Sequence, residues 1–248
     1  PLRPGYYWDV LKLAFWEKYV WKNASQTIAV SDDDARTIQK NIGSSSHVAV
    51  VPNGVDVDSF SFVIKKKSEY PVFLFVGSFM WMQNRDAVEW LMRSIWPMLQ
   101  KHYPGATLRI VGRSMPPSLR SLVGNRNIIL LEHVENIEEE FHNADVLLAP
   151  IRIGGGTSFK ILEAMASGLP VVTTPLGASG LNVSHGQELL IGQTAEEIVA
   201  LTGSLMTSSG LYRKIARNAR RTIEHDYAWD TIAQSLDHLW YETAKKSS

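Results

Sequence analysis

Three consecutive glycines, Gly154-Gly155-Gly156, run into Thr157-Ser158 and then into a helix-like stretch, Phe159–Ser167, that carries a lysine, Lys160, and a carboxylate, Glu163. Gly168 and Pro170 stop that stretch, and a β-branched strand begins at Val171. Glycine lets main-chain N–H groups approach a ligand closely, and the helix dipole favours an anion at the helix start. The natural ligand for Gly155, Gly156, Thr157 and Ser158 is therefore one that bears phosphate. A carboxylate about a turn and a half into the helix can accept hydrogen bonds from sugar hydroxyls. On these residues alone the alternative is a loop, a capped helix and a solvent-facing acid, because glycine-rich turns before helices are common.

Other chemistries find little support. No Asp-x-Asp pair stands beside this segment; Asp32-Asp33-Asp34 falls where a helix starts, and acids there favour the dipole. The histidines, His47, His102, His133, His142, His185, His225 and His238, contain no i, i+4 metal pair. No Gly-x-Ser-x-Gly elbow is present, which argues against a hydrolase of that type. The chain has no cysteine, so disulfides, thiolate metal sites and cysteine nucleophiles are excluded. Lys+Arg and Asp+Glu are equal at 25 each, so no global field recruits nucleic acid. No apolar run approaches the roughly 20 residues of a membrane span, and the opening residues lack a signal-peptide pattern.

The elements that must position the glycine segment alternate along the chain. β-rich apolar runs lie at Thr27–Val30, Val48–Val51, Val72–Val76, Leu108–Val111, Ile128–Leu131, Val146–Ala149, Val171–Thr173 and Leu189–Ile191. Helical patterns lie at Arg85–Lys101, Pro117–Val123, Ile137–Asn143, Phe159–Ser167 and Ala195–Met206. Apolar strands separated by helices predict an α/β fold, a doubly wound parallel sheet covered on both faces. Two strands end on a glycine, Gly77 and Gly112, at the carboxyl edge where such sheets hold ligands.

The run Glu163-Ala-Met-Ala-Ser-Gly-Leu-Pro-Val-Val resembles the donor-nucleotide segment of family 4 (group 1) retaining glycosyltransferases of the GT-B fold. The family pattern places one glutamate eight positions before a second; Glu163 matches the second, and Gly155 stands where the first would be. A branch reading roughly GGGTRLKILEAMA also lacks the first glutamate; here Ser158 replaces its arginine and Lys160 is kept. The resemblance implies that Glu163 binds ribose hydroxyls and that the glycine segment cradles a diphosphate. In many relatives an Arg and a Lys follow the first strand's glycine; Ser78 and Gln83 hold those positions here. Arg85, Arg152 and Lys160 are the candidate substitutes, with Lys160 and Arg152 as the catalytic cations. Gly77, Gly112, His133 and Val134 match positions around the nucleotide, the last two where relatives hold the base.

The same resemblance implies an organisation. Residues 1–55 would be the end of an amino-terminal acceptor domain with its linker through Val51-Pro52-Asn53-Gly54, residues 56–226 the Rossmann-like donor domain, and residues 227–248 a crossing helix. On that reading the polypeptide is mainly the donor-binding half, transferring a sugar from a nucleoside-diphosphate sugar to a glycan or lipid-linked acceptor, inactive in isolation, and needing no cofactor or metal. The rivals are a non-catalytic nucleotide-sugar module, a Rossmann oxidoreductase, which lacks its Gly-x-Gly-x-x-Gly turn, and an interaction domain. The implied setting is cytoplasmic, at the inner membrane face.

The opening helix combines Tyr6, Tyr7, Trp8, Phe15, Trp16, Tyr19 and Trp21 with Lys12, Lys18 and Lys22. It can seat on a membrane surface as a peripheral contact. Alternatively its aromatics pack within the domain or drive a homodimer. Lys65-Lys66-Lys67 reads as a solvated connector, and Tyr227–Tyr241 as an amphipathic closing helix.

Overall fold

The computed structural model describes residues 4–43, 47–66, 68–124 and 127–246. Lys67 and the side chain of Tyr6 lie outside the described residues. The chain divides into two compact units, Pro1–Pro52 with Ile232–Ser248, and Asn53–Thr231.

In the first unit, strands β1 (Thr27–Ala29) and β2 (Val48–Val50) pair in parallel with Thr27 opposite Val48. The helix Asp32–Ile42 connects them. Ser31 caps it, its Oγ accepting from the Asp34 N–H, and Gly43 ends it in the left-handed region at φ 72°. Ala29, Ala35, Ile38 and Ile42 form its small core with Trp21 and Val48 against them. The helix Pro4–Asn23 has no clean apolar stripe, and Trp8, Leu11, Phe15 and Trp16 are exposed.

The second unit holds β3 (Val72–Val76), β4 (Thr107–Val111), β5 (Ile128–Leu131), β6 (Val146–Ala149), β7 (Val171–Thr173) and β8 (Leu190–Ile191). They form a parallel sheet in the order β5-β4-β3-β6-β7-β8. Side chains alternate between its faces. Phe73, Phe75, Leu108, Ile110, Val146, Leu148 and Val172 join one core with Trp96, Leu99 and Ile198. Leu74, Val111, Leu147, Ala149 and Val171 join the other with Phe141, Ile161, Met165 and Ala219. Both faces are thus covered, as the apolar runs predict. The chain winds outward from β3 through β4 to β5, then returns to β6 and winds the other way. Strand order therefore reverses between β3 and β6, and a crevice opens there at the carboxyl ends.

Three helices differ from the sequence expectation, the first being that at Pro117–Val123, which stops at Arg120. The helix expected at Arg85–Lys101 starts at Met82, and its middle, Leu91–Ile95, is a π-turn before Trp96–His102. Pro97 explains the slip: its ring has no N–H to give and would collide with the preceding turn's carbonyl, and Trp96 N–H reaches back to Leu91 O instead. A helix that the sequence analysis does not single out, Ser209–Thr222, buries Tyr212, Ile215, Ala216 and Ala219.

That helix fastens the one carrying Glu163. Arg220 donates from Nη1 to the carbonyls of Ala166, Phe60 and Val57 at 2.9, 2.9 and 3.2 Å, and pairs with Glu224 at 2.6 Å. A guanidinium suits the last turn of Phe159–Ser167, where carbonyls lack helical partners and the dipole is negative. Arg220→Met should lower stability by about 2–3 kcal/mol, because it strands these part-buried carbonyls, whereas Arg220→Lys should lose less. Urea unfolding followed by circular dichroism measures both.

Candidate functional site

A cleft of about 330 Å³ opens at the carboxyl ends of β3, β6 and β7. Val76, Gly77, Ser78, Trp81, Gln83 and Asn84 line it from the β3 side. Ile151, Ile153 and the stretch Gly155–Glu163 line it from the other, through Gly155, Gly156, Thr157, Ser158, Phe159, Lys160 and Glu163, with Leu176 and Gly177 behind.

The glycine bend is exposed, and Gly154 and Gly156 hold φ values of 104° and 82° that disfavour a side chain. A Cβ built on Gly155 or Gly156 meets nothing within 4 Å, so the space beside the bend is open. Ser158 precedes the helix without capping it through its side chain, so the first helical amides keep no side-chain acceptor. Among the described residues nothing accepts from the amides of Gly155, Gly156, Thr157 or Ser158, and the buried Thr157 hydroxyl has no hydrogen-bond partner. These donors and the helix start suit an anion.

Lys160 and Glu163 stand three positions apart on Phe159–Ser167, while Ile161, Leu162, Ala164 and Met165 between and beyond them are buried. Both charged side chains are therefore turned onto the cleft side. Burial pulls the Lys160 ammonium down to about 8, although Glu163 beside it works in the other direction. Burial likewise raises the Glu163 carboxyl, with Lys160 opposing and Glu138 reinforcing the rise. No donor among the described residues reaches the Glu163 carboxylate, which leaves its oxygens available to a ligand.

Asn84 is the residue that sequence reasoning missed. It is buried, donates from Nδ2 to Ser78 O at 2.8 Å and accepts from Lys160 Nζ at 2.9 Å. The ammonium also lies 5.4 Å from the centre of the Phe75 ring. Gly77 is required by this packing, since a Cβ there would lie 2.7 Å from the Asn84 amide carbon. The signal that could have found Asn84 is its place, seven residues past the glycine that ends β3, in the first turn of a helix. Trp81 and Phe159, exposed at the rim, were also not singled out.

Several sequence candidates stand elsewhere. Arg152 forks onto Asp86 at 2.7 and 3.1 Å and lies 4.6 Å over the Trp90 ring, so its charge is spent on a neighbouring helix and it does not line the cleft. Arg85 donates to the carbonyls of Phe79 and Met80, holding the β3 loop from behind. Gly112 answers a packing need: a Cβ on it would lie 1.8 Å from Gly77 O. His133 is exposed beyond β5, and Val134 packs toward the core around Phe141; neither lines the cleft. Ser78 and Gln83, the uncharged replacements, do line it. Among the described residues no group of three or more His, Asp or Glu is placed to hold a metal, and no helix is long and apolar enough to cross a membrane.

Residues 70–208 match the family described as Glycosyl transferases group 1, and residues 3–59 match Glycosyltransferase Family 4. A phosphatidyl-myo-inositol mannosyltransferase of Mycobacterium tuberculosis is 31% identical over 238 residues, covering 89% of this chain and 60% of the relative. A solved sucrose-phosphate synthase from Thermosynechococcus elongatus superposes with a TM-score of 0.77 at 21% identity, over 96% of this chain and 62% of that one. Anabaena HepE in complex with UDP-glucose superposes at 0.71 with 19% identity, over 90% and 65%. These structural likenesses show the fold. The chain spans between 50% and 60% of the length of the curated relatives it matches. The larger family match takes in the cleft-bearing sheet from β3 to β8, and the chain belongs to the group 1 glycosyl transferases.

Proposed function

We propose that the cleft binds a nucleoside-diphosphate sugar and that the chain is the donor half of an enzyme passing the sugar, with retention and without a metal, to a glycan or lipid-linked acceptor. The diphosphate lies on the amides of Gly155–Ser158 with Lys160 beside it, and Glu163 accepts from the ribose hydroxyls. Negative charge builds on the departing diphosphate as the glycosidic bond breaks, and fixed donors aimed there lower the barrier. One observation carries the reading: the only two charged side chains of Phe159–Ser167 share a cleft with an exposed bend whose amides have no acceptor. The UDP-glucose complex of the structurally similar Anabaena protein supports this class of ligand. Trp81 and Phe159 supply exposed rings for the base or sugar. A non-catalytic nucleotide-sugar module is the second reading, favoured by the uncharged Ser78 and Gln83 on the β3 side.

A thermal-shift panel of UDP, GDP, ADP and their sugars tests the site. A ligand at a hundred times its dissociation constant should stabilise the chain by about 2.7 kcal/mol. Glu163→Ala should weaken that ligand about tenfold to a hundredfold, the cost of losing hydrogen bonds to a charged group. A panel without any shift would sink the assignment.

The Lys160 shift adds a pH signature. A diphosphate against the amine favours the ammonium, so binding takes up a proton once the free site has lost it. Affinity should be flat from neutral pH to about 8, where Lys160 is already charged, and fall by up to about tenfold per pH unit above it. Lys160→Met should bind more weakly at neutral pH and lose the slope. Calorimetric titration at several pH values checks both, and an unchanged slope in the variant would remove Lys160 from the diphosphate.

A further inference from the structure

We propose that the outer face of the helix Ser209–Thr222 docks on an anionic lipid bilayer through Arg213, Lys214, Arg217 and Arg221. The helix has no acidic residue, and its apolar side is buried through Tyr212, Ile215, Ala216 and Ala219. Arg213, Arg217 and Arg221 recur every fourth residue on the opposite side, about 6 Å apart along the axis, and all three are exposed with Lys214. Together with Gly210 and Asn218 they line a surface groove of about 490 Å³. Arg213 also borders a second groove of about 430 Å³ that includes Lys65, whose charge is matched by Asp145, and the exposed Lys66, which extends the cationic surface.

No carboxylate among the described residues pairs with any of the four. Five other arginines among the described residues of the unit are matched, Arg93 to Glu89, Arg109 to Glu140, Arg120 to Glu132, Arg152 to Asp86 and Arg220 to Glu224, whereas Arg85 and Arg113 stand singly rather than in a row. The chain as a whole has a formal net charge of zero, so this excess is local and sets an orientation. Lys214 donates to Gly186 O at 3.0 Å and Asn218 to Gln187 O at 3.2 Å, which fastens a loop along the helix flank.

The shape selects the partner. A straight row of cations on one helix matches a plane of anionic headgroups. A single nucleic-acid strand asks for aromatic platforms between the charges, and the helix's one aromatic residue, Tyr212, is buried. The face also leaves the cleft free. Its Lys65–Lys66 end lies where Asp145 receives Lys65 and the Val72 N–H, at the amino ends of β3 and β6. The cleft is at their carboxyl ends.

Co-sedimentation of the chain with vesicles tests the proposal, using phosphatidylcholine alone or mixed with about one-third phosphatidylglycerol. Binding should require the anionic lipid and fall as salt is raised. Arg217→Ser combined with Arg221→Ser should cut partitioning about 25-fold, roughly fivefold per cation, while Arg217→Lys with Arg221→Lys retains it. Arg213→Ser with Lys214→Ser serves as an independent pair should the first fail to fold by circular dichroism. Equal binding to neutral vesicles overturns the proposal. So does loss of binding through Trp8→Ser with Trp16→Ser while both cation pairs leave it intact, which assigns the contact to the opening helix. Salt-sensitive binding of duplex DNA that exceeds vesicle binding and disappears with the same arginines makes the face a nucleic-acid surface instead.

Discussion

The hydrogen bond from Lys160 to Asn84 joins the two walls of the cleft, and the site's electrostatics depend on it. Lys160 belongs to the helix after the glycine bend, and Asn84 to the helix after β3. Without an acceptor at that point, a half-buried ammonium facing the Phe75 ring would have no polar partner among the described residues except the field of Glu163. Asn84 supplies a neutral acceptor, so it orients the amine without neutralising it. The charge is held in place and remains available to an anion. A carboxylate at position 84 would pair with the lysine and hold its charge against a diphosphate, so the amide is the better partner if the site receives one as proposed.

This arrangement constrains the backbone around it. Asn84 occupies the volume that any side chain on residue 77 would need, and the Gly77 carbonyl occupies the volume beside residue 112. Two glycines at the ends of adjacent parallel strands therefore have different tasks from the glycines of the bend. The first pair lets protein approach protein, whereas Gly155 and Gly156 leave space that no protein atom fills. The threonines at the end of β7 close the back of the same edge, with Thr173 donating to Ala149 O at 2.7 Å and Thr174 donating to Ile151 O. The floor of the cleft is thus tied together by hydrogen bonds, and its open side is the glycine bend.

Much of the fold was legible because parallel strands covered on both faces are apolar at every position. Phe73-Leu74-Phe75 and Val146-Leu147-Leu148 announce themselves without any alternation. The glycine bend, Lys160 and Glu163 were legible because glycine spacing and a helix start carry their chemistry in one short segment. What was not legible depended on contacts between distant segments. Arg152 and Asp86 are far apart in sequence but meet as a bidentate pair, so a candidate cation became a brace. Arg85 and Gly112 resemble ligand residues in one dimension and serve the β3 loop in three. The π-turn at Leu91–Ile95 escaped because helix pattern alone does not register what Pro97 does to the turn before it. Asn84 escaped because a lone asparagine in a helix start reads as a cap, and only the folded sheet shows Lys160 opposite it.

The distribution of arginines follows from the same economy of charge. Where an arginine is half-buried it is matched, by Glu140 for Arg109 and by carbonyls plus Glu224 for Arg220, because an uncompensated guanidinium costs more than its pairing returns. Lys160 is the exception inside the cleft: its nearest acid, Glu163, is a helical turn away and forms no ion pair with it. A lysine is the cation that can tolerate this, since it can lower its charge as it is buried, while an arginine at the same place would stay charged and draw in a carboxylate. The absence of the usual cations from Ser78 and Gln83 then has a physical counterpart. On the proposed reading, one tunable lysine on the helix, oriented by a neutral amide, meets the diphosphate where a fixed pair of cations would recruit acids that compete with it.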